Sequence, residues 1–328
     1  MQDDGRSNTP RRRLLPRIVR SVFTGVLVGA VAAVAVRLSV RDSITAVAPV
    51  YYATPPLLLA AMTLIGAVVF ARARAHRRGI AASVLTVALL AWGIGRHVSL
   101  RNPIDGDDGI ALCTWNLSHG WGGWSDIAAV LAEDDADVIG LVEAELGDEA
   151  REAIAGALPH HMILAGDAGL AVAVRGEAGQ PQMIPLGEGS TCLRLDVRCK
   201  ETDLAVLLVD IDSNPFTDRG GPIRAVQKLA AGITDRPVVI LGDFNTPRDS
   251  AHFDDWDGAL SNVGDSLGCG WLATWPAWAP VLEIDHIWLS KRLEARRCRI
   301  GWSFQSDHRR VIAVIAPTDH RTASTVSP

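Results

Sequence analysis

The five cysteines of this 328-residue chain (Cys113, Cys192, Cys199, Cys269 and Cys298) include no C-x-x-C pair. No paired histidine ligands accompany them, so a zinc site is not expected. Their odd number leaves at least one thiol outside any internal pair, and spacing alone assigns no disulfide. Lysine is missing from residues 1–101, where 14 arginines face three acids (Asp3, Asp4, Asp42) for a net charge of +11. Positive charge is scarce where a nucleic-acid binder would need it. Residues 102–328 carry 18 basic and 34 acidic side chains, a net −16. Such a surface repels a polyanion unless metal ions or a local patch intervene. No internal repeat is present.

The chain does have long apolar runs. Five arginines lie between positions 11 and 20, and an apolar run over 22–36 follows. It extends to about residue 40 if Arg37 snorkels. A second run covers roughly 50–71, the basic stretch 72–78 interrupts, and a third covers about 80–95. Each is near the lower end of the ~17–25 residues that span a bilayer. A signal peptide would give one such run with a small-residue cleavage site, not three separated by charge. Three transmembrane helices over 21–95 are therefore expected, after a basic cytoplasmic N-terminus over 1–20. Arginine favours the cytoplasmic side, and both 1–20 and 72–78 are strongly basic while 41–56 is nearly neutral. The order in, out, in, out places everything after the third span outside, in a multi-pass cell-membrane protein. Arg96 and Arg101 sit on the outer flank against the rule.

Residues 96–109 read as a polar, turn-rich linker. From 110 onward short apolar runs alternate with amphipathic ones. Strands are expected over 110–115, 138–142, 170–174, 191–197, 204–211, 238–241, 284–289 and 311–315. Helices are expected over 125–134, capped by Ser125, and over 148–158 and 222–231. The polar stretch 317–328 is expected to be a disordered tail. The alternation predicts an α/β domain over 110–316, with helices outside one buried sheet or a pair of sheets.

The ends of these strands carry the chemistry. The run 238–241 closes in Gly242-Asp-Phe-Asn-Thr-Pro247. Asp243 and Asn245 stand two apart, so in extended backbone they point the same way, with Phe244 directed into the core. Strand 110–115 ends in Trp115-Asn116, and the apolar run beginning at Asp137 ends at Glu143. Asp285 opens the strand in Glu283-Ile-Asp-His-Ile-Trp288, and Asp307 and His308 precede the last strand. Taken singly, each has a plain structural explanation as a turn residue or solvated strand end. At the ends of separate strands in one domain they form a set of hard oxygen ligands with one histidine. That is what a Mg²⁺- or Mn²⁺-dependent phosphoryl site requires.

Trp-Asn, Asp-x-Ile-x-x-x-Glu, Gly-Asp-Phe-Asn-Thr-Pro, Ile-Asp-His-Ile and Ser-Asp-His, in that order, resemble the endonuclease/exonuclease/phosphatase superfamily with its deoxyribonuclease-like fold. The resemblance spans about 110–316. Apolar spans before an outward domain, with Thr274-Trp-Pro-Ala-Trp278, look like the membrane-anchored branch linked to glycopeptide resistance. The resemblance implies a four-layer α/β fold, a two-sheet β-sandwich flanked by helices. It implies Glu143 as principal metal ligand, with Asn116 close by and Asp307 near the ion. Asp243 would orient or deprotonate the attacking water, and Asn245 would donate to a phosphoryl oxygen. Asp285 would orient His308, which would contact the phosphate. Many members carry a histidine where this chain reads Val209-Asp-Ile-Asp-Ser213, and Asp212 holds the equivalent position. His119, in the loop after Asn116, is an alternative source of an imidazole.

Trp271, Trp275 and Trp278, with Trp121 and Trp124, read either as packed core or as an apolar wall beside the ion, suited to a lipid tail or the bilayer interface. The expected function is a membrane-anchored, outward-facing, Mg²⁺- or Mn²⁺-dependent phosphohydrolase or phosphodiesterase. Its substrate would be a lipid-linked or other small phosphate ester of the cell envelope, and no protein partner is expected. An extracellular nuclease and a catalytically inactive membrane-anchored binding module are the alternatives.

Overall fold

The computed structural model describes residues 11–99, 108–256, 258–266 and 269–318. The chain divides into two compact units, 1–96 and 97–328. The extreme N-terminus (1–10), most of the expected linker (100–107) and the expected tail from 319 lie outside the described residues.

The first unit is helical: α1 (Arg11–Leu38), α2 (Ala48–Ala53), α3 (Pro56–Arg72) and α4 (His76–His97). Two segments, Ile18–Leu38 and His76–His97, are long and apolar enough to cross a membrane. The expected middle span is not one helix. Pro55 and Pro56 cannot continue a helix from α2, so the run over 50–71 splits and leaves the 17 residues of α3 as its apolar part. Arg37 does not snorkel. It is buried over the Tyr51 ring and donates to the carbonyls of Tyr51 (2.9 Å) and Thr54 (2.8 Å) at the C-terminal end of α2. Small residues, Ala30 and Ala33 of α1 and Ala60 of α3, line the packing between helices.

The second unit begins β1 (Val98–Ser99), β2 (Ile110–Asn116), α5 (Trp124–Asp134), β3 (Val138–Val142), α6 (Asp148–Ala157), β4 (Met162–Ala165) and β5 (Ala171–Val174). It continues β6 (Glu177–Ala178), β7 (Gln182–Gly187), β8 (Ser190–Cys199), β9 (Thr202–Asp210), α7 (Gly220–Gly232) and β10 (Val238–Asp243). It ends β11 (Leu260–Asn262), α8 (Val263–Ser266), β12 (Gly270–Trp271), β13 (Asp285–Ser290), β14 (Leu293–Gly301) and β15 (Arg310–Pro317).

Two sheets form. One orders β14-β15-β2-β3-β5-β4, and the other orders β11-β13-β10-β9-β8-β6 with β7 also on β8. Alternation along each strand builds four layers. Leu112 of β2, Val206 and Leu208 of β9, Leu241 of β10 and Ile287 of β13 fill the space between the sheets. Cys113, Trp115 and Ile139 turn the other way, onto Ile127 and Leu131 of α5 and Ile154 of α6. Val209, Ile240 and Phe244 pack outward on Ile223 and Val226 of α7 and on Phe253, Trp256 and Trp288. The expected pair of sheets flanked by helices is thus the observed architecture. Ser125 does not cap α5, which starts one residue earlier behind Gly123, at φ 85°.

Cys269 and Cys298 form a disulfide, whereas Cys113, Cys192 and Cys199 are free and buried.

Candidate active site

Strand direction brings the site together. β2 and β3 run parallel, as do β9 and β10, so their carboxyl ends lie at the same end of their sheets. β13 runs antiparallel to β10, and β15 antiparallel to β2, so their beginnings join that end. Residue parity then chooses the side chains. Asn116 follows Leu112, Asp243 follows Leu241 and Asp285 precedes Ile287, each two or four positions from a residue of the inter-sheet core. All three therefore project between the sheets.

The Asn116 amide nitrogen donates to both Glu143 Oε1 and Asp243 Oδ2 at 2.9 Å, and so joins two carboxylates 100 positions apart. The amide oxygen was expected to face an ion. It accepts instead from the Ser118 backbone N–H at 2.9 Å in an Asx turn. Asn116 is thus a clamp on the two carboxylates in this geometry. His308 Nδ1 lies 3.0 and 3.2 Å from the two oxygens of Asp285 and 3.8 Å from Asp243. Asp243, Asp285 and His308 each offer a ligand atom within 4.8 Å of the others. Ser306 fixes the approach to His308: its hydroxyl donates to Asn116 O (2.7 Å) and accepts from the His308 N–H (3.0 Å).

The remaining expected residues divide. Asp307 joins the group through Ser118 Oγ and the Trp275 indole N–H, which donates at 3.1 Å. His119 is exposed, with Nε2 3.3 Å from Glu143 and Nδ1 3.4 Å from Glu145. Asn245 holds Asp243 in place: its backbone N–H donates to Asp243 Oδ1 (2.7 Å) and its side chain to Ile211 O (2.8 Å). Asp212 lies past the strand end, where its carboxylate accepts from the Asn214 N–H at 3.0 Å. The nearer carboxylate is Asp210, opposite Asp243 in the β9–β10 register. Strand parity carries the signal for it, since Asp210 continues the inward series Leu204, Val206, Leu208. Trp275, one of the tryptophans singled out from the sequence, also belongs to the site, as does Ser118, which no local pattern marks.

Charge is crowded here. Burial and the Asp285 carboxylate push Asp243 up to about 7 despite His308, Asn116 and the Asn245 N–H. Burial, Asp243 and Glu143 push Asp210 up to about 8. Burial alone would lower His308, but Asp285 and Asp243 outweigh it and raise it to about 10, so the imidazole is a cation at neutral pH. Asp307 is also buried enough to rise, yet the Ser118 hydroxyl, His308 and Trp275 hold it below the usual range. Backbone strain gathers at the same place. Ser118, His119, Glu143 and Asn245, none of them glycine, all lie at φ between 46° and 56°.

Of the five tryptophans singled out from the sequence, Trp121 and Trp278 are exposed. Trp124 packs on the α5 core, Trp271 donates to Pro280 O and Trp275 is bound to Asp307.

The sequence pattern of the Endonuclease/Exonuclease/phosphatase family matches residues 113–308. Among solved structures, an endonuclease/exonuclease/phosphatase family protein from Bacteroides thetaiotaomicron aligns at TM-score 0.53 and 17% identity. The alignment covers 63% of this chain and 97% of that one. A mannosyl-6-phosphatase from the same species aligns at 0.52 and 16%, covering 63% and 100%. TDP2 of D. rerio, complexed with a single-strand DNA product, aligns at 0.55 and 16%, covering 64% and 100%. No curated protein matches the sequence.

Proposed function

This chain belongs to the Endonuclease/Exonuclease/phosphatase family, and on that premise we propose that it is a divalent-metal-dependent hydrolase of phosphate esters, anchored in a membrane. The observation that carries the reading is the Asn116 amide touching both Glu143 and Asp243, beside the Asp285–His308 pair. The donor set fits a hard cation. Glu143, Asp307, Asp210 and Asp243 supply carboxylate oxygens, and burial together with neighbouring carboxylates raises Asp243 and Asp210. Glu143 and Asp307 would hold Mg²⁺ or Mn²⁺. When bound, the ion supplies stabilisation of charge developing on the phosphoryl oxygens.

The chain's own groups do the rest. Asp243, lifted close to neutrality, is suited to orient a water and take its proton. His308, held as a cation by Asp285, is placed to donate a hydrogen bond to a phosphoryl oxygen. The second N–H of the Asn245 amide, the first being on Ile211 O, is a further donor for the phosphate.

The substrate is a lipid-linked or other small phosphate ester of the cell envelope. The net −16 of residues 102–328 opposes a nucleic acid. Ile18–Leu38 and His76–His97, long and apolar enough to cross a membrane, with α3 as a shorter apolar helix, support the anchoring. With α3 counted as a third span, the basic stretches at 11–20 and 72–78 favour the 97–328 unit lying outside. The Cys269–Cys298 disulfide supports that side, since disulfides persist in oxidising compartments.

The test is hydrolysis by the full chain of a panel of phosphate mono- and diesters, including polyprenyl phosphate, phospholipids and single-stranded DNA. Turnover of a lipid-linked ester with Mg²⁺ or Mn²⁺, abolished by EDTA and insensitive to salt, is expected. DNA cleavage that falls steeply with ionic strength would replace this reading with a nuclease. No turnover across the panel would leave a binding module.

A further inference from the structure

Three loops of the 97–328 unit meet around Asp307. The loop after β2 approaches the loop before β15 so closely that a Cβ on Gly122 would stand 2.2 Å from Gln305 Cα. The loop before β13 joins them: the Ala277 N–H donates to Asp307 O (2.6 Å), and Arg309 donates to Thr274 O and Ala277 O at 2.9 Å. Residues 117–123, 275–282 and 302–306 together contain no Asp, Glu, Lys or Arg, in a unit otherwise dense in charge. The same stretches carry exposed aromatic side chains. Trp278 is 79% exposed, Trp121 74%, Phe304 73% and Trp302 48%, and the rings of Trp302 and Phe304 lie 4.4 Å apart.

Exposed aromatic rings grouped on one surface mark an interaction site. Tryptophan and phenylalanine without neighbouring charge suit one medium in particular, the boundary between lipid headgroups and acyl chains, where a charged loop would be penalised. The chain itself provides the bilayer through Ile18–Leu38 and His76–His97, and residues 98–109 alone separate α4 from β2. We propose that Trp121, Trp278, Trp302 and Phe304 form a membrane-docking surface that seats the rim of the active site in the lipid interface. A phosphate ester whose lipid tail stays in the bilayer would then reach Asp243 and His308 without leaving it. The inference rests on the membrane anchoring proposed above, but not on catalysis.

The full chain offers a clean experiment, since Cys113, Cys192 and Cys199 are buried and the other two cysteines are paired. Trp278→Cys and Phe304→Cys, with Glu201→Cys in the β8–β9 turn as reference, each take an environment-sensitive fluorophore. The proteins are reconstituted in phosphatidylcholine–phosphatidylglycerol vesicles that contain a doxyl-lipid quencher. Labels at 278 and 304 are expected to shift to the blue and lose emission to the quencher, while the label at 201 does neither. Vesicle-bound protein whose three labels behave alike would overturn the docking surface and leave the anchor standing. A blue shift that follows protein concentration without quenching would assign the surface to a second copy of the chain and overturn it too. Protein that fails to float with the vesicles would refute the anchoring, and the docking surface with it.

Discussion

Asp243 is buried beside the Asp285 carboxylate, so its ionised form is costly. Asp243→Asn removes that charge and keeps the shape. It should reduce kcat by about 10³-fold, within the ~10²–10⁴ attributed to a positioned acid or base, while the metal-free protein melts at a higher temperature than the parent. Steady-state kinetics and thermal unfolding of both proteins check the pair of outcomes. His286 behaves differently. It points away from the site into the cluster of Phe244, Phe253 and Trp288, where Nε2 meets Thr246 O at 2.9 Å. Burial lowers it from 6.5 to about 4, so it stays neutral in the fold while the unfolded chain takes up a proton. Its contribution is therefore complete above pH 6.5 and is lost as pH falls toward 4, a span of about 3 kcal/mol. His286→Gln, which keeps a donor for Thr246 O, should flatten that acid limb in urea unfolding followed from pH 7 to pH 4.

At the scale of elements, the strand β10 shows why the Gly-Asp-Phe-Asn motif begins with glycine. Gly242 sits at φ 136°, and a Cβ there would lie 2.0 Å from Val209 O on β9. Gly242→Ala must part the two parallel strands that carry Asp210 and Asp243. It should cost about 3 kcal/mol or more, the range reached when backbone is strained and packing broken together, as measured by denaturant midpoint. The central strands β2, β3, β9, β10, β13 and β15 were legible because burial on both faces gives continuous apolar runs. β14 was not, because this edge strand alternates Ala295 and Cys298 with three arginines, and β7 carries Pro185, tolerated at an edge. The expected single helix over 50–71 failed at Pro55-Pro56, where propensity yields to the missing N–H.

For the molecule as a whole, the anchoring proposed above raises the question of which side of a membrane would hold the 97–328 unit. With α1 and α4 alone as spans, that unit would share the side of the basic N-terminus, whereas α3 as a third span carries it across. α3 has 17 residues, about 25 Å at ~1.5 Å per residue, a little short of the ~30 Å hydrocarbon core but within reach of local thinning. A reporter enzyme active only outside the cytoplasm, fused after Pro328, should be active. A well-expressed but inactive fusion would place the unit inside and remove the argument from the disulfide.

The sequence by itself determined the strand-end residues, their order along the chain and the family pattern over 113–308. Local alternation and motif spacing suffice for that, and they directed Asn116, Glu143, Asp243, Asp285 and His308 to one place. Only the tertiary structure decided what each atom there does. The Asn116 oxygen is turned to Ser118, Asp210 stands nearer than Asp212, and Trp275 and Ser118 hold Asp307. Those partners lie up to 189 positions apart. Contacts at that separation are set by how two sheets pack face to face, which no stretch of sequence encodes locally.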